Sequence, residues 1–141
     1  SLPRGVPDDF YAQIVARVHE TGHRVALDTS GPALREAVDA EPDLIKPNAE
    51  ELAELTGVEL RTWAGVAEQA EKLRAGGVGA VLVSLGEDGA LLVNSTGVTR
   101  AYSPPVEVRS TVGAGDSTLA GFLAAQRQDV QVEAAPRDLV E

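Results

Sequence analysis

Gly113, Ala114, Gly115 and Asp116 stand between an extended stretch and Ser117 to Ala125, a run of small and apolar residues with helical spacing. Successive residues without bulky side chains let backbone N–H groups converge at a helix start, where the dipole is positive, and such a place holds anions. A carboxylate at its rim would compete with a bound phosphate. Asp116 makes chemical sense there as a base, taking the proton from a substrate hydroxyl while that oxygen attacks a phosphoryl group held by the amides. The plainer reading is that Asp116 caps the helix that follows it. Both fit the local pattern.

Two further segments carry polar groups out of apolar strands. Lys46-Pro47-Asn48-Ala49-Glu50-Glu51 follows a short strand and opens a helix, so a lysine, an amide and carboxylates arrive at the carboxyl end of a sheet, where open α/β folds bind ligands. Its alternative is a capping box, Asn48 with Glu51. Ser84-Leu85-Gly86-Glu87-Asp88-Gly89 also leaves a strand, and its two glycines permit close approach of backbone to a ligand or, more simply, a tight turn into a hairpin.

The elements that must position these segments follow from periodicity. Phe10, Tyr11, Ile14, Val15 and Val18 predict a helix from Asp8 to Glu20, capped by Asp8 or Asp9 and ended by Gly22. Residues 23–28 predict a buried strand, Ala33 to Val38 a helix, residues 43–46 a second strand, and Asn48 to Gly57 a capped helix. Thr62 to Ala75 is helical with Gly76-Gly77 as terminator, and Gly79 to Leu85 is a continuous apolar strand. Ala90 to Asn94 and Val98 to Tyr102 form a hairpin about Ser95-Thr96-Gly97. Alternating helix and strand predicts a parallel sheet with right-handed crossovers, to which the hairpin adds an antiparallel edge. Residues 1–125 read as one unit, and 126–141 as a weakly patterned tail.

Composition narrows the chemistry. Among 141 residues, 22 are acidic and 12 basic, a net charge of -10, and without clustered cations there is no footprint for a nucleic-acid backbone. The absence of cysteine excludes a disulfide framework, a thiolate zinc site and a cysteine nucleophile. No apolar run is long enough to span a membrane and no signal peptide is evident, so a cytoplasmic location is expected. His19 and His23 are expected at the surface, Trp63 in the core, and most acidic side chains on solvated helix faces.

Taken in order, Leu27-Asp28-Thr29-Ser30-Gly31, Lys46-Pro47-Asn48 with Glu51, Ser84-Leu85-Gly86 with Gly89, and Ser110 to Ser117 resemble the ribokinase-like (PfkB) sugar kinases. The branch resembled is the one that contains 1-phosphofructokinase and tagatose-6-phosphate kinase. The resemblance implies a three-layer α/β sheet with parallel core strands, helices on both faces and a hairpin edge. It implies ATP-dependent phosphoryl transfer to a hydroxyl of a sugar phosphate, fructose 1-phosphate foremost. Asp116 would be the catalytic base, and the amides of Gly113, Ala114 and Gly115 the anion hole. Asn48 and Glu51 would organise hydrated magnesium, while Lys46, Ser84, Gly86 and Gly89 would lie along the nucleotide. Asp28 receives no role. The chain resembles only the C-terminal, nucleotide-binding half of such kinases, so the competing expectation is a non-catalytic nucleotide-binding remnant. The complete protein would be a homodimer. A dinucleotide-binding Rossmann domain is disfavoured, because no G-x-G-x-x-G follows the first strand.

Overall fold

The computed structural model describes residues 4–102. Helix α1, Phe10–Glu20, precedes strand β1, Ala26–Leu27, and α2, Gly31–Asp39, leads to β2, Leu44–Ile45. Two helices, α3 (Ala49–Thr56) and α4 (Trp63–Ala75), then cross to β3, Ala80–Ser84. A single 3-10 turn, Gly86–Asp88, joins β3 to the hairpin of β4, Ala90–Asn94, and β5, Gly97–Ala101. The sheet runs β1-β2-β3-β4-β5, with the first three strands parallel and the last two pairings antiparallel. This is the expected α/β arrangement with a hairpin edge.

Strand alternation divides the apolar residues between two faces. Leu27, Ile45, Val81, Val83, Leu91 and Val93 join Val15, Leu34, Leu52 and Val66 in one buried cluster, so α1 to α4 all pack on one face of the sheet. Crossovers of one hand that advance steadily across a sheet must deposit their helices on a single side. Leu44, Leu82, Ala90 and Leu92 form a second buried cluster on the opposite face. The expectation of helices on both faces is thus met on one side among the described residues.

Both short strands are shorter than the sequence suggests. Pro42 and Pro47 bracket β2, and proline cannot donate to a ladder, so pairing is confined to Leu44 and Ile45. Among the described residues β1 pairs only with β2 and inherits that length. Cap signals fare unevenly. Asn48 and Thr62 cap α3 and α4 through their side chains, and Gly57 closes α3 in the left-handed conformation. Asp9 precedes α1 without a capping bond, because its φ of -81° and ψ of 2° are not extended, and its carboxylate instead accepts the Gln13 amide at 2.9 Å.

Candidate active site

Because β1, β2 and β3 are parallel, the residues that follow them meet on one edge. The Ser84 amide donates to the Pro47 carbonyl at 3.0 Å, and Asn48 and Ser84 form a parallel bridge past the last regular β2–β3 pair. Lys46, Asn48, Ser84 and Gly86 therefore share the carboxyl edge that the sequence assigned to them.

At the β1–β2 seam, Lys46 Nζ lies 3.2 Å from Asp28 Oδ2, with the lysine side chain only 8% exposed. The two residues directly follow the paired positions Leu27 and Ile45, so the ladder register sets them side by side. Sequence reading gave Asp28 no role. The available signal was alignment: each charge comes immediately after the last paired residue of a short apolar strand.

At the start of α3, the Asn48 amide donates to Glu51 Oε2 at 2.9 Å, and the Glu51 amide to Asn48 Oδ1 at 2.8 Å. The capping box is thus real, but it does not exhaust the groups. Each bond uses one oxygen, so the second carboxylate oxygen of Glu51 and the Asn48 amide NH2 can still serve a ligand. Metal-bound waters donate, so the free Glu51 oxygen and the second lone pair of Asn48 Oδ1 suit the water shell of magnesium, while the NH2 can only donate.

The two glycines after β3 differ. Gly86 has φ of +58°, and among the described residues nothing stands within 4 Å of where a Cβ would be, so glycine is favoured there by conformation rather than by packing. At Gly89, φ is +98° and a Cβ would collide with the Ala101 carbonyl of β5. Its requirement therefore comes from strand packing. The Leu85 amide donates to the Gly89 carbonyl at 2.8 Å, which closes the turn and leaves Glu87 and Asp88 exposed.

Other groups settle into structural positions. Trp63 is half-buried against the core, as expected, and the Arg100 guanidinium lies 3.4 Å from its ring centroid and 4.4 Å from that of Tyr102. His19 and His23 are exposed, and His19 Nε2 stands 2.9 Å from Asp43 Oδ2. Partial burial alone would push the Asp43 carboxyl up, but the Val25 amide and His19 together hold it below the ordinary value of 3.8. Between α2 and α3 a cavity of about 100 Å³ is lined by Gly31, Leu34, Arg35, Glu51 and Leu55. Small-molecule sites usually occupy several hundred Å³, so this gap is too small to be one. Among the described residues no helix is long and apolar enough to cross a membrane. Gly113, Ala114, Gly115 and Asp116, and the tail from residue 126, lie outside the described residues.

Comparison with known proteins decides the family. The sequence profile of the pfkB family carbohydrate kinases matches residues 1–137. The chain belongs to that family. This pfkB chain is 46% identical over 125 residues to a 1-phosphofructokinase of Rhodobacter capsulatus, a match that covers 89% of the chain and 40% of the relative. It resembles the structure of phosphofructokinase-2 from Escherichia coli in complex with substrates and products, with TM-score 0.84 and 34% identity over 93% of this chain and 43% of that one. It also resembles Arabidopsis thaliana ribokinase complexed with ribose and ATP, with TM-score 0.76 and 32% identity over 91% of this chain and 42% of that one. The pfkB chain thus spans about two-fifths of the length of the curated relatives it matches.

Proposed function

We propose that this chain forms the nucleotide-binding part of an ATP-dependent kinase that phosphorylates a hydroxyl of a sugar phosphate, with fructose 1-phosphate, giving the 1,6-bisphosphate, as the first candidate. The observation that carries the proposal is the single carboxyl edge on which Lys46, Asn48, Ser84 and Gly86 stand, joined by the Asn48–Ser84 bridge. The 46% identity to a 1-phosphofructokinase supports the choice of sugar phosphate.

In this reading Lys46 and the backbone about Ser84 and Gly86 hold the nucleotide, while Asn48 and Glu51 hold the water shell of magnesium. Gly89 borders the nucleotide through its turn. Magnesium, when bound, offsets the charge of the phosphates, which an acidic protein cannot do with side chains alone. Asp116 takes the proton from the attacking hydroxyl, and the amides of Gly113, Ala114 and Gly115 stabilise the charge on the transferring group.

The test is an assay of the complete gene product with magnesium, ATP and a panel of sugar phosphates, following ADP and the phosphorylated sugar together. Stoichiometric ADP and bisphosphate from fructose 1-phosphate are expected. Turnover with another sugar phosphate would change the substrate, and ATP binding without transfer to any sugar would favour the non-catalytic reading.

A further inference from the structure

We propose that Asp28 is a positioning residue, which holds the Lys46 ammonium at the carboxyl edge for a phosphate of the bound nucleotide. This rests on the nucleotide-binding role proposed above for that edge. The Lys46 side chain is 8% exposed and its Nζ lies 3.2 Å from Asp28 Oδ2. A charge so nearly buried requires a partner, and a lysine on its flexible four-carbon stem needs something to fix where that charge sits. Asp28 supplies both from the neighbouring strand, and Asp28 is the one ion-pair partner of Lys46 among the described residues. The geometry is set by backbone, since the preceding residues Leu27 and Ile45 are ladder partners and are 6% and 0% exposed.

Stability alone is a poor reason for such a pair: the Asp28 side chain is one-third exposed, where an ion pair contributes little, and apolar residues often replace buried pairs without loss. Its location is more telling. Lys46 is two residues before Asn48, whose capping box and bridge to Ser84 fix the same edge. A fixed ammonium there can meet a phosphate without first being ordered, so its rotamer entropy is lost on folding rather than on binding.

The experiment is a double-mutant cycle in the complete gene product, reading ATP affinity by calorimetry with magnesium present, alongside KM for ATP, kcat and melting temperature. Lys46→Met should weaken ATP binding roughly tenfold or more, the ordinary worth of a hydrogen bond to a charged group. Asp28→Asn should weaken it by a similar factor and raise KM more than it lowers kcat, Asp28→Glu should recover most of the loss, and the double variant should bind no worse than Lys46→Met alone. Unchanged or tighter ATP binding in Asp28→Asn, or losses that multiply in the double variant, would overturn the proposal. If Asp28→Asn fails to fold, Asp28→Glu and the charge-free double variant carry the comparison, and a folded Asp28→Glu that binds no better than Lys46→Met overturns it. A wild-type protein that binds no ATP refutes the nucleotide-binding role itself. Wild-type binding that Lys46→Met leaves intact refutes only the part played by Asp28 and Lys46.

Discussion

Asn48 and Ser84 are bridged in parallel across the ends of β2 and β3, with the Ser84 amide bonded to the carbonyl of Pro47 at 3.0 Å. The bridge extends the sheet past the last regular pair of these strands. It makes one surface of two turns that are 36 residues apart in sequence, counting from Asn48 to Ser84. A ligand over that surface would touch backbone fixed by the core cluster beneath it rather than a free loop.

Glu51 belongs to a capping box, and glutamine serves in such a box as well as glutamate. Glu51→Gln should therefore melt within about 1 °C of the parent, since most surface changes fall within roughly 0.5 kcal/mol. If Glu51 also orders the water shell of magnesium, the concentration of magnesium that gives half-maximal turnover should rise several-fold. A magnesium titration beside a melting curve separates the two roles.

The two glycines of the β3–β4 connection should respond differently to alanine. Gly89→Ala combines a positive φ with a collision at the Ala101 carbonyl, and should cost more than the roughly 1–2 kcal/mol of left-handed strain alone. Gly86→Ala meets only the strain among the described residues, where nothing stands within 4 Å of its Cβ direction, and should instead weaken ATP binding. Urea midpoints and ATP titrations of both variants check the ordering.

Acid should erode stability through Asp43. Its carboxyl is held below the ordinary 3.8 in the folded protein, so its contribution is fully present above that value and is lost as pH falls through the lower folded value. Asn can still accept the Val25 amide, which Asp43 Oδ2 meets at 2.7 Å, but it carries no charge to titrate. Asp43→Asn should flatten the acid limb of the stability curve below pH 3.8, measured by urea unfolding at a series of pH values.

Asp116→Asn tests the proposed base directly. Asparagine caps a helix about as well as aspartate, so the melting temperature should hold. Turnover should fall on the order of 100-fold to 10,000-fold, the usual worth of a positioned general base, with ATP affinity unchanged or slightly tighter. Turnover at the parental rate would return Asp116 to the role of a cap.

Much of the scaffold is written locally. Asn48 with Glu51 and Gly57 marks both ends of α3, and Thr62 the start of α4, because caps depend on residues within one turn of each other. Apolar Val81 to Val83 announces β3 as a strand buried on both faces. What escapes is whatever depends on register. The pairings of Asp28 with Lys46 and of His19 with Asp43 join residues 18 and 24 apart, counting along the sequence, and neither can be read until the elements are laid side by side. Gly89 likewise resembles a ligand-facing glycine until β5 is laid beside it and the Ala101 carbonyl is found against its α-carbon. Trp63 reads correctly as packing against the core, yet the Arg100 guanidinium on its ring comes from a strand that only the hairpin register brings there.

The most direct measurement of the central claim is a map of backbone amide shifts in the complete gene product on addition of magnesium and ATP. Perturbations should concentrate at Lys46, Asn48, Ser84 and Gly86 along the carboxyl edge, and should spare Gly79 and Thr96 at the opposite ends of β3 and the hairpin. Saturable shifts centred on Gly79 and Thr96, or none at Asn48 and Gly86 when ATP is bound, would contradict a nucleotide site on that edge.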